Sequence, residues 1–217
     1  MNMVNVQSDI ESIIRNSTEF GINQFHADFM DGHFVPRIGI SPELIRDIKS
    51  TFPQVSIDSH LMVEDPYTYV DIIAPYSDWI TYHYEAVTDP IRTLQKIRRN
   101  WPNIKVALAF NLATPFNKEM IRLFDGVMFM GISPGVLGTN SYPIIVKDKI
   151  KQLDYNMPYF IDGSVNLDTI PLYNMINPNG TFICGSSTIF KVNAYTKGLN
   201  RDKCIAYNID KLKGVLK

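Results

Sequence analysis

SPELIRDIKSTFPQVSIDSHLMVEDPYTYVDIIAPYSDWITYHYEAVTDP, residues 41–90, holds two complete cycles of one pattern and the opening of a third. Each cycle opens on a capping residue followed by proline: Ser41-Pro42, Asp65-Pro66 and Asp89-Pro90. Such a pair predicts a helix start, because proline at the first helical position loses no hydrogen bond and its φ is already helical. Leu44, Ile45 and Ile48 follow the first proline, Tyr69, Val70 and Ile73 the second, and Ile91, Leu94 and Ile97 the third, so each predicted helix has an apolar face that needs covering. Thr114-Pro115 extends the series, and the prolines at 42, 66, 90 and 115 lie 24, 24 and 25 residues apart.

Between and beyond these helices come β-like runs: NQFHADF (23–29), QVSIDSHLMV (54–63), WITYHYEA (79–86), IKVALAFN (104–111), DGVMFM (125–130), PYFID (158–162) and TFICG (181–185). Regular strand–helix alternation implies a parallel sheet with right-handed crossovers, either open or closed into a barrel. The seven runs and a short candidate at Met3–Val6, ahead of the Ser8-x-x-Glu11 capping box and Ile10, Ile13 and Ile14, make eight units of about 25 residues. No GxGxxG turn follows the first strand, as a dinucleotide-binding sheet would require. The expected fold is therefore α/β, a (β/α)8 TIM barrel forming a single domain over residues 1–217, its first strand shortened.

The chain has 217 residues, 45% of them hydrophobic and 20% charged, with a formal net charge of −1. That balance gives no electrostatic footprint for nucleic acid or an anionic membrane. No run approaches the roughly 18 apolar residues of a membrane span. Two cysteines, Cys184 and Cys204, match neither a disulfide framework nor a zinc knuckle, and the N-terminal residues do not read as a signal peptide; a reduced, cytoplasmic protein is expected. The basic clusters Lys96/Arg98/Arg99 and Lys147/Lys149/Lys151 fall late in predicted helices, where cations suit the helix dipole and solvent.

In such a barrel chemistry sits at the carboxyl ends of the strands. Period-2 geometry puts His26, Asp28 and Met30 on one face of their strand and Phe25, Ala27 and Phe29 on the other. His60 closes the next strand and Asp162 a later one, so two histidines and two aspartates can meet over the mouth, a donor set suited to zinc, iron or manganese rather than calcium. Each residue also has a structural reading: a strand histidine is often simply hydrogen-bonded, and Asp31-Gly32, Asp125-Gly126 and Asp162-Gly163 suit turns. The residues alone leave both readings open.

HADFMDGHFVP (26–36), HLMVEDP (60–66), YHYEA (82–86), FNLATP (110–115), MGISPG (130–135), IDGS (161–164) and GSSTIF (185–190) closely resemble the ribulose-phosphate 3-epimerases and the related allulose-6-phosphate 3-epimerases. The resemblance runs from Gly21 to Phe190. It implies a (β/α)8 barrel in which His26, Asp28, His60 and Asp162 bind a divalent metal ion (zinc, iron(II) or manganese) and Asp28 and Asp162 are the two catalytic acid/base groups. One would remove the proton on carbon 3 of a phosphorylated ketose and the other return a proton to the opposite face, through an ene-diolate that the metal stabilises. The mechanism needs one aspartate ionised and one protonated, and no organic cofactor. Met30, Met62 and Met130 match the methionines that surround the reacting carbons. Gly135, Gly138, Gly163, Ser164, Gly185 and Ser186 are the expected phosphate-binding positions, in loops after late strands, where backbone N–H groups and a serine hydroxyl suffice. His33 suggests loop structuring, and His83 with Glu85, on one strand face, a supporting or barrel-filling role. Relatives of this kind are often homo-oligomers.

Three differences from the family pattern bear on the substrate. The serine of the family's first strand is absent from MNMVNV. The loop after the sixth predicted strand reads SPGVLGTN (133–140), with Leu137 where the family has glycine. Asp162-Gly163-Ser164 with Asn166 is nearer the allulose-phosphate branch. The sequence thus implies a metal-dependent isomerase, a 3-epimerase of ribulose 5-phosphate/xylulose 5-phosphate or of allulose 6-phosphate/fructose 6-phosphate. A non-catalytic sugar-phosphate-binding barrel and a related barrel enzyme with a different phosphosugar reaction are the alternatives.

Overall fold

A computed structural model describes residues 7–136, 142–185 and 188–216. They contain seven strands: β1 (Gln24–Met30), β2 (Ser56–Met62), β3 (Trp79–His83), β4 (Lys105–Phe110), β5 (Gly126–Met130), β6 (Tyr159–Asp162) and β7 (Gly180–Phe182). All are parallel and hydrogen-bonded in chain order into one sheet. Each of the seven β-runs read from the sequence forms a strand; the candidate at Met3–Val6 lies outside the described residues. The helices are α1 (Gln7–Glu19), α2 (Pro42–Thr51), α3 (Pro66–Ile73), α4 (Pro90–Asn100), α5 (Lys118–Ile121), α6 (Pro143–Ile150), α7 (Thr169–Asn174) and α8 (Arg201–Leu216).

Proline opens α2, α3 and α4 as the spacing predicts. Asp65 accepts from the Thr68 N–H, and Asp89 from those of Ile91 and Arg92, each satisfying donors that the first turn leaves unpaired. Ser41 makes no such bond. The fourth start lies later than expected: α5 begins at Lys118, capped by Asn117, whose side chain accepts from the Glu119 and Met120 N–H groups. Thr114 is folded into a turn on the Asn111 carbonyl, and its side chain serves Glu85, so it is not available as a cap.

The sheet is curled, as in TIM barrels. In the helical layer α7 packs on α8, and α8 packs on α1, which brings the first and last described helices together. Side chains also meet across the interior: Trp79 of β3 lies edge-on to Phe160 of β6, ring centroids 4.9 Å apart. Alternation along β1 follows the sequence reading. Ala27 and Phe29 are buried in the layer between sheet and helices, with Ile45, Ile57 and Ile73, while His26, Asp28 and Met30 occupy the other face. A second apolar cluster, Ala107, Ala109, Met128, Met130 and Phe160, fills the β4–β6 side of the interior. Lys149 departs from the solvent-facing reading of its cluster: it is 7% exposed, and its Nζ donates to the Asn111 carbonyl at 2.5 Å. Among the described residues no helix is long and apolar enough to cross a membrane.

Candidate metal and active site

The register of β1 on β2 decides the site. His26 pairs with Asp58 and Asp28 with His60, so the His-x-Asp of one strand lies against the Asp-x-His of the next, and each imidazole has a carboxylate beside it. Asp58 Oδ2 is 2.8 Å from His26 Nδ1, and its other oxygen accepts from the Thr81 hydroxyl at 2.9 Å. With Nδ1 engaged by Asp58, His26 turns its Nε2 toward the barrel mouth.

Four atoms converge there. His26 Nε2 lies 3.3 Å from His60 Nδ1, 3.2 Å from Asp28 Oδ1 and 4.0 Å from Asp162 Oδ2; His60 Nδ1 lies 3.1 Å from Asp28 and 3.5 Å from Asp162. All four lie within 4.8 Å of one another, a group that could hold a metal ion. The geometry fits one: tetrahedral ligands at about 2.0–2.1 Å from zinc are roughly 3.3 Å apart. The chemistry fits as well, since two carboxylates and two facing imidazole nitrogens call for a cation between them.

The same crowding separates the aspartates. Burial works against the Asp28 anion, but His26 and His60 outweigh it and hold its carboxyl well below the usual range. Burial, reinforced by the Asp28 charge, pushes Asp162 up. His26 is pushed up too, because Asp58 and Asp28 outweigh the penalty of burying its cation.

Backbone close to the site has little freedom. Gly131 N–H donates to the Asp162 carbonyl at 2.6 Å, and a Cβ on Gly131 would collide with the Gly163 carbonyl oxygen, so no larger residue fits where β5 and β6 end. Gly163 and Ser164 follow with φ of +88° and +56°, two left-handed residues in succession, which turn the chain away directly after Asp162. Ser164 is buried. Gly135, after β5, lies against Val35 of the β1–α2 loop, and Gly185 follows β7. Gly138 and Ser186 lie outside the described residues. Met30 and Met62 are register partners at the ends of β1 and β2, and Met130 pairs with Asp162, so the three methionines sit at the same rim as the four converging groups.

Asp31 behaves as turn chemistry: it accepts from the His33 and Phe34 N–H groups and, across to the next loop, from Glu64 N–H. His33 thus enters through its backbone. Glu85 is not on the strand with His83, as alternation suggests, but in a 3₁₀ turn, Tyr84–Ala86, after β3. Its carboxylate nevertheless reaches back to His83 Nδ1 at 3.2 Å, and His83 Nε2 is 2.9 Å from His60 Nε2. Burial pushes His83 down to about 4 despite Glu85. Sequence reasoning missed Asp58 and Thr81, although the mirrored motifs HAD and DSH on adjacent parallel strands carried the signal.

Comparison with known proteins agrees with this architecture. Residues 3–190 match the model of the ribulose-phosphate 3 epimerase family. The ribulose-phosphate 3-epimerase of Methanocaldococcus jannaschii is 32% identical over 186 residues, 82% of this chain and 76% of that protein; that of Eremothecium gossypii is 28% identical over 206 residues, 84% of each. In fold the chain is similar to 3-keto-L-gulonate-6-phosphate decarboxylase from Vibrio cholerae, with a TM-score of 0.65 at 11% identity over 97% of this chain and 92% of that one. On the breadth of the family match and the identity to its members, the chain belongs to the ribulose-phosphate 3 epimerase family.

Proposed function

We propose that this protein is a metal-dependent 3-epimerase of a ketose phosphate, either ribulose 5-phosphate/xylulose 5-phosphate or allulose 6-phosphate/fructose 6-phosphate. The observation that carries the reading is the convergence of His26 Nε2, His60 Nδ1, Asp28 Oδ1 and Asp162 Oδ2 within 4.8 Å at the barrel mouth. Those four residues would hold zinc, iron(II) or manganese. A divalent cation there would supply Lewis-acid stabilisation of the negative charge that develops on the substrate oxygens.

The chain's own groups do the proton transfer. Asp28 and Asp162 approach from different strands, β1 and β6, so a substrate lying across the mouth presents one face of carbon 3 to each. An ionised carboxylate removes the carbon-3 proton, acidified by the neighbouring ketone; the protonated partner delivers its proton to the opposite face, and configuration inverts. The opposite displacements of Asp28 and Asp162 suit this division. Met30, Met62 and Met130 would pack against the reacting carbons. Gly135, Gly163, Ser164 and Gly185, in loops after β5, β6 and β7, would bind the phosphate together with Gly138 and Ser186. The barrel is taken as one domain over residues 1–217.

Proton NMR in deuterated water tests the proposal. Protein loaded with zinc, iron(II) or manganese is given each ketose phosphate in turn, and exchange and inversion at carbon 3 are followed. Exchange with inversion is expected, and the relative rates select the substrate. Absence of exchange with both sugars in folded, metal-loaded protein would contradict the reading and favour a barrel that binds a sugar phosphate without turning it over.

A further inference from the structure

His26 and His60 contribute through different nitrogens. His26 is oriented by a carboxylate in direct contact, Asp58. His60 has no carboxylate at its Nε2; that nitrogen faces His83 Nε2 at 2.9 Å, with both side chains fully buried. Two nitrogens at that distance must share one proton between them, and the ring positions alone do not say which carries it.

We propose that Glu85 is a positioning residue which, acting through His83, fixes the His60 tautomer and so directs the His60 Nδ1 lone pair into the metal cluster. The inference rests on the proposed function in taking the cluster as a cation site. The direction of the hydrogen bonds follows from Glu85 outward. A carboxylate can only accept, so Glu85 Oε2 takes the Nδ1–H of His83 at 3.2 Å. That leaves His83 Nε2 as a lone pair, which can only accept from Nε2–H of His60. His60 then has Nδ1 unprotonated where it meets His26, Asp28 and Asp162. In the reverse tautomer the His60 proton would point at Asp28 Oδ1, and two buried lone pairs would oppose each other at the His60–His83 contact.

Glu85 is held in place for this task. Its Oε1 accepts from the Asn111 N–H at 2.8 Å, at the carboxyl end of β4, and Thr114 adds a side-chain bond. Although burial disfavours its anion, His83, Thr114 and Asn111 hold the carboxyl down at about 2. Phe34 of the β1–α2 loop lies against the His83 ring, centroids 4.9 Å apart, and the His83 side chain is fully buried. Glu85→Gln shows what the charge is for. The amide has one accepting oxygen; if that oxygen keeps the Asn111 N–H, its NH2 turns to His83 Nδ1, and every proton in the chain reverses.

The test uses the full chain, as wild type and as Glu85→Gln, with His83→Phe as a second variant that removes the acceptor while keeping a ring under Phe34. Long-range proton–nitrogen NMR reads the ring nitrogens, and competition against a chromophoric chelator reads the affinity for zinc alone. Wild type is expected to show His83 protonated at Nδ1 and His60 at Nε2. Glu85→Gln should move the His83 proton to Nε2 and weaken zinc binding about 10- to 100-fold, the usual loss for an outer partner of a metal-bound histidine; its zinc-free melting temperature should fall as the carboxylate's bonds are lost, so the tautomer reversal is the readout that a merely structural role would not produce. His83→Phe should weaken zinc in the same direction. A wild-type protein with His83 protonated at Nε2, or variants that bind zinc as tightly as wild type, would overturn the proposal. Wild type that takes no zinc but shows His83 protonated at Nδ1 would remove the metal reading and leave the hydrogen-bond assignment standing.

Discussion

Across one barrel interior, the wall made by β1–β3 and the wall made by β4–β6 are built from opposite materials. The first presents His26, Asp28, Asp58, His60, Thr81 and His83, joined by hydrogen bonds of 2.8 to 3.3 Å; the second presents Ala107, Ala109, Met128, Met130 and Phe160. Asp162, at the tip of β6, is the carboxylate that the apolar side contributes to the cluster. A polar wall is specified by register and direction, because a one-residue slip would face His26 with a neighbour of Asp58 instead. An apolar wall is specified by volume, and it tolerates any filling of the right size. Damage to the first should therefore appear in metal binding and turnover, and damage to the second, Met130 at its rim apart, in stability.

The largest effect expected from this division is on turnover. Asp162→Asn or Asp28→Asn should lower kcat about 10²- to 10⁴-fold, the usual contribution of a general acid or base; the melting temperature of the metal-free protein should stay level or rise in Asp162→Asn, as like charge is relieved, and fall in Asp28→Asn, which loses the pairing with His26 and His60. Steady-state epimerisation and a thermal melt of the same sample check both halves. Next, Phe160→Ala, which opens the apolar wall opposite Trp79, should cost about 3–5 kcal/mol of stability in denaturant titration and leave zinc affinity nearly unchanged; a parallel fall in affinity would show that the walls are not separable.

Lys149 lies outside both walls, a buried cation on α6 beside the Phe129 ring in the layer between sheet and helices. Burial lowers its amine to about 8, with Glu85 opposing, from the ordinary value of 10.5. Below about pH 8 the folded protein carries the cost of a buried cation; from there to about 10.5 the folded state binds fewer protons than the unfolded one, so stability rises with pH. Wild type should thus gain up to about 3 kcal/mol relative to Lys149→Met across that window, read as the difference between two denaturation series. The smallest effect is that of Thr81→Val, which leaves Asp58 Oδ1 without its hydroxyl donor: about 1–2 kcal/mol of stability and a few-fold weaker zinc binding, measured by chelator competition.

The two walls also differ in how far the sequence reveals them. Proline spacing and apolar periodicity marked α2, α3 and α4 and all seven described strands, because helix starts and strand faces are local properties. His26, Asp28, His60 and Asp162 were legible for a related reason: polar residues at predicted strand ends must share the barrel rim. What stayed hidden depends on relations between elements. Asp58 gains its role only from the pairing of β1 with β2, and Glu85 only because a 3₁₀ turn folds it back on His83. Lys149 carries the composition of a surface helix and is buried because α6 turns it toward Asn111. Thr114 looked like a cap but is engaged with Glu85, and α5 starts three residues after Pro115 as a result.

The central claim is that the polar wall exists to hold a cation between its two imidazoles and the two aspartates. Anomalous X-ray scattering at the zinc edge, on crystals grown with zinc, tests it most directly. The account predicts one strong peak about 2.0–2.2 Å from His26 Nε2, His60 Nδ1 and an oxygen each of Asp28 and Asp162, lost in Asp28→Asn. A peak at other residues, or His60 turned to bind through Nε2, would contradict it.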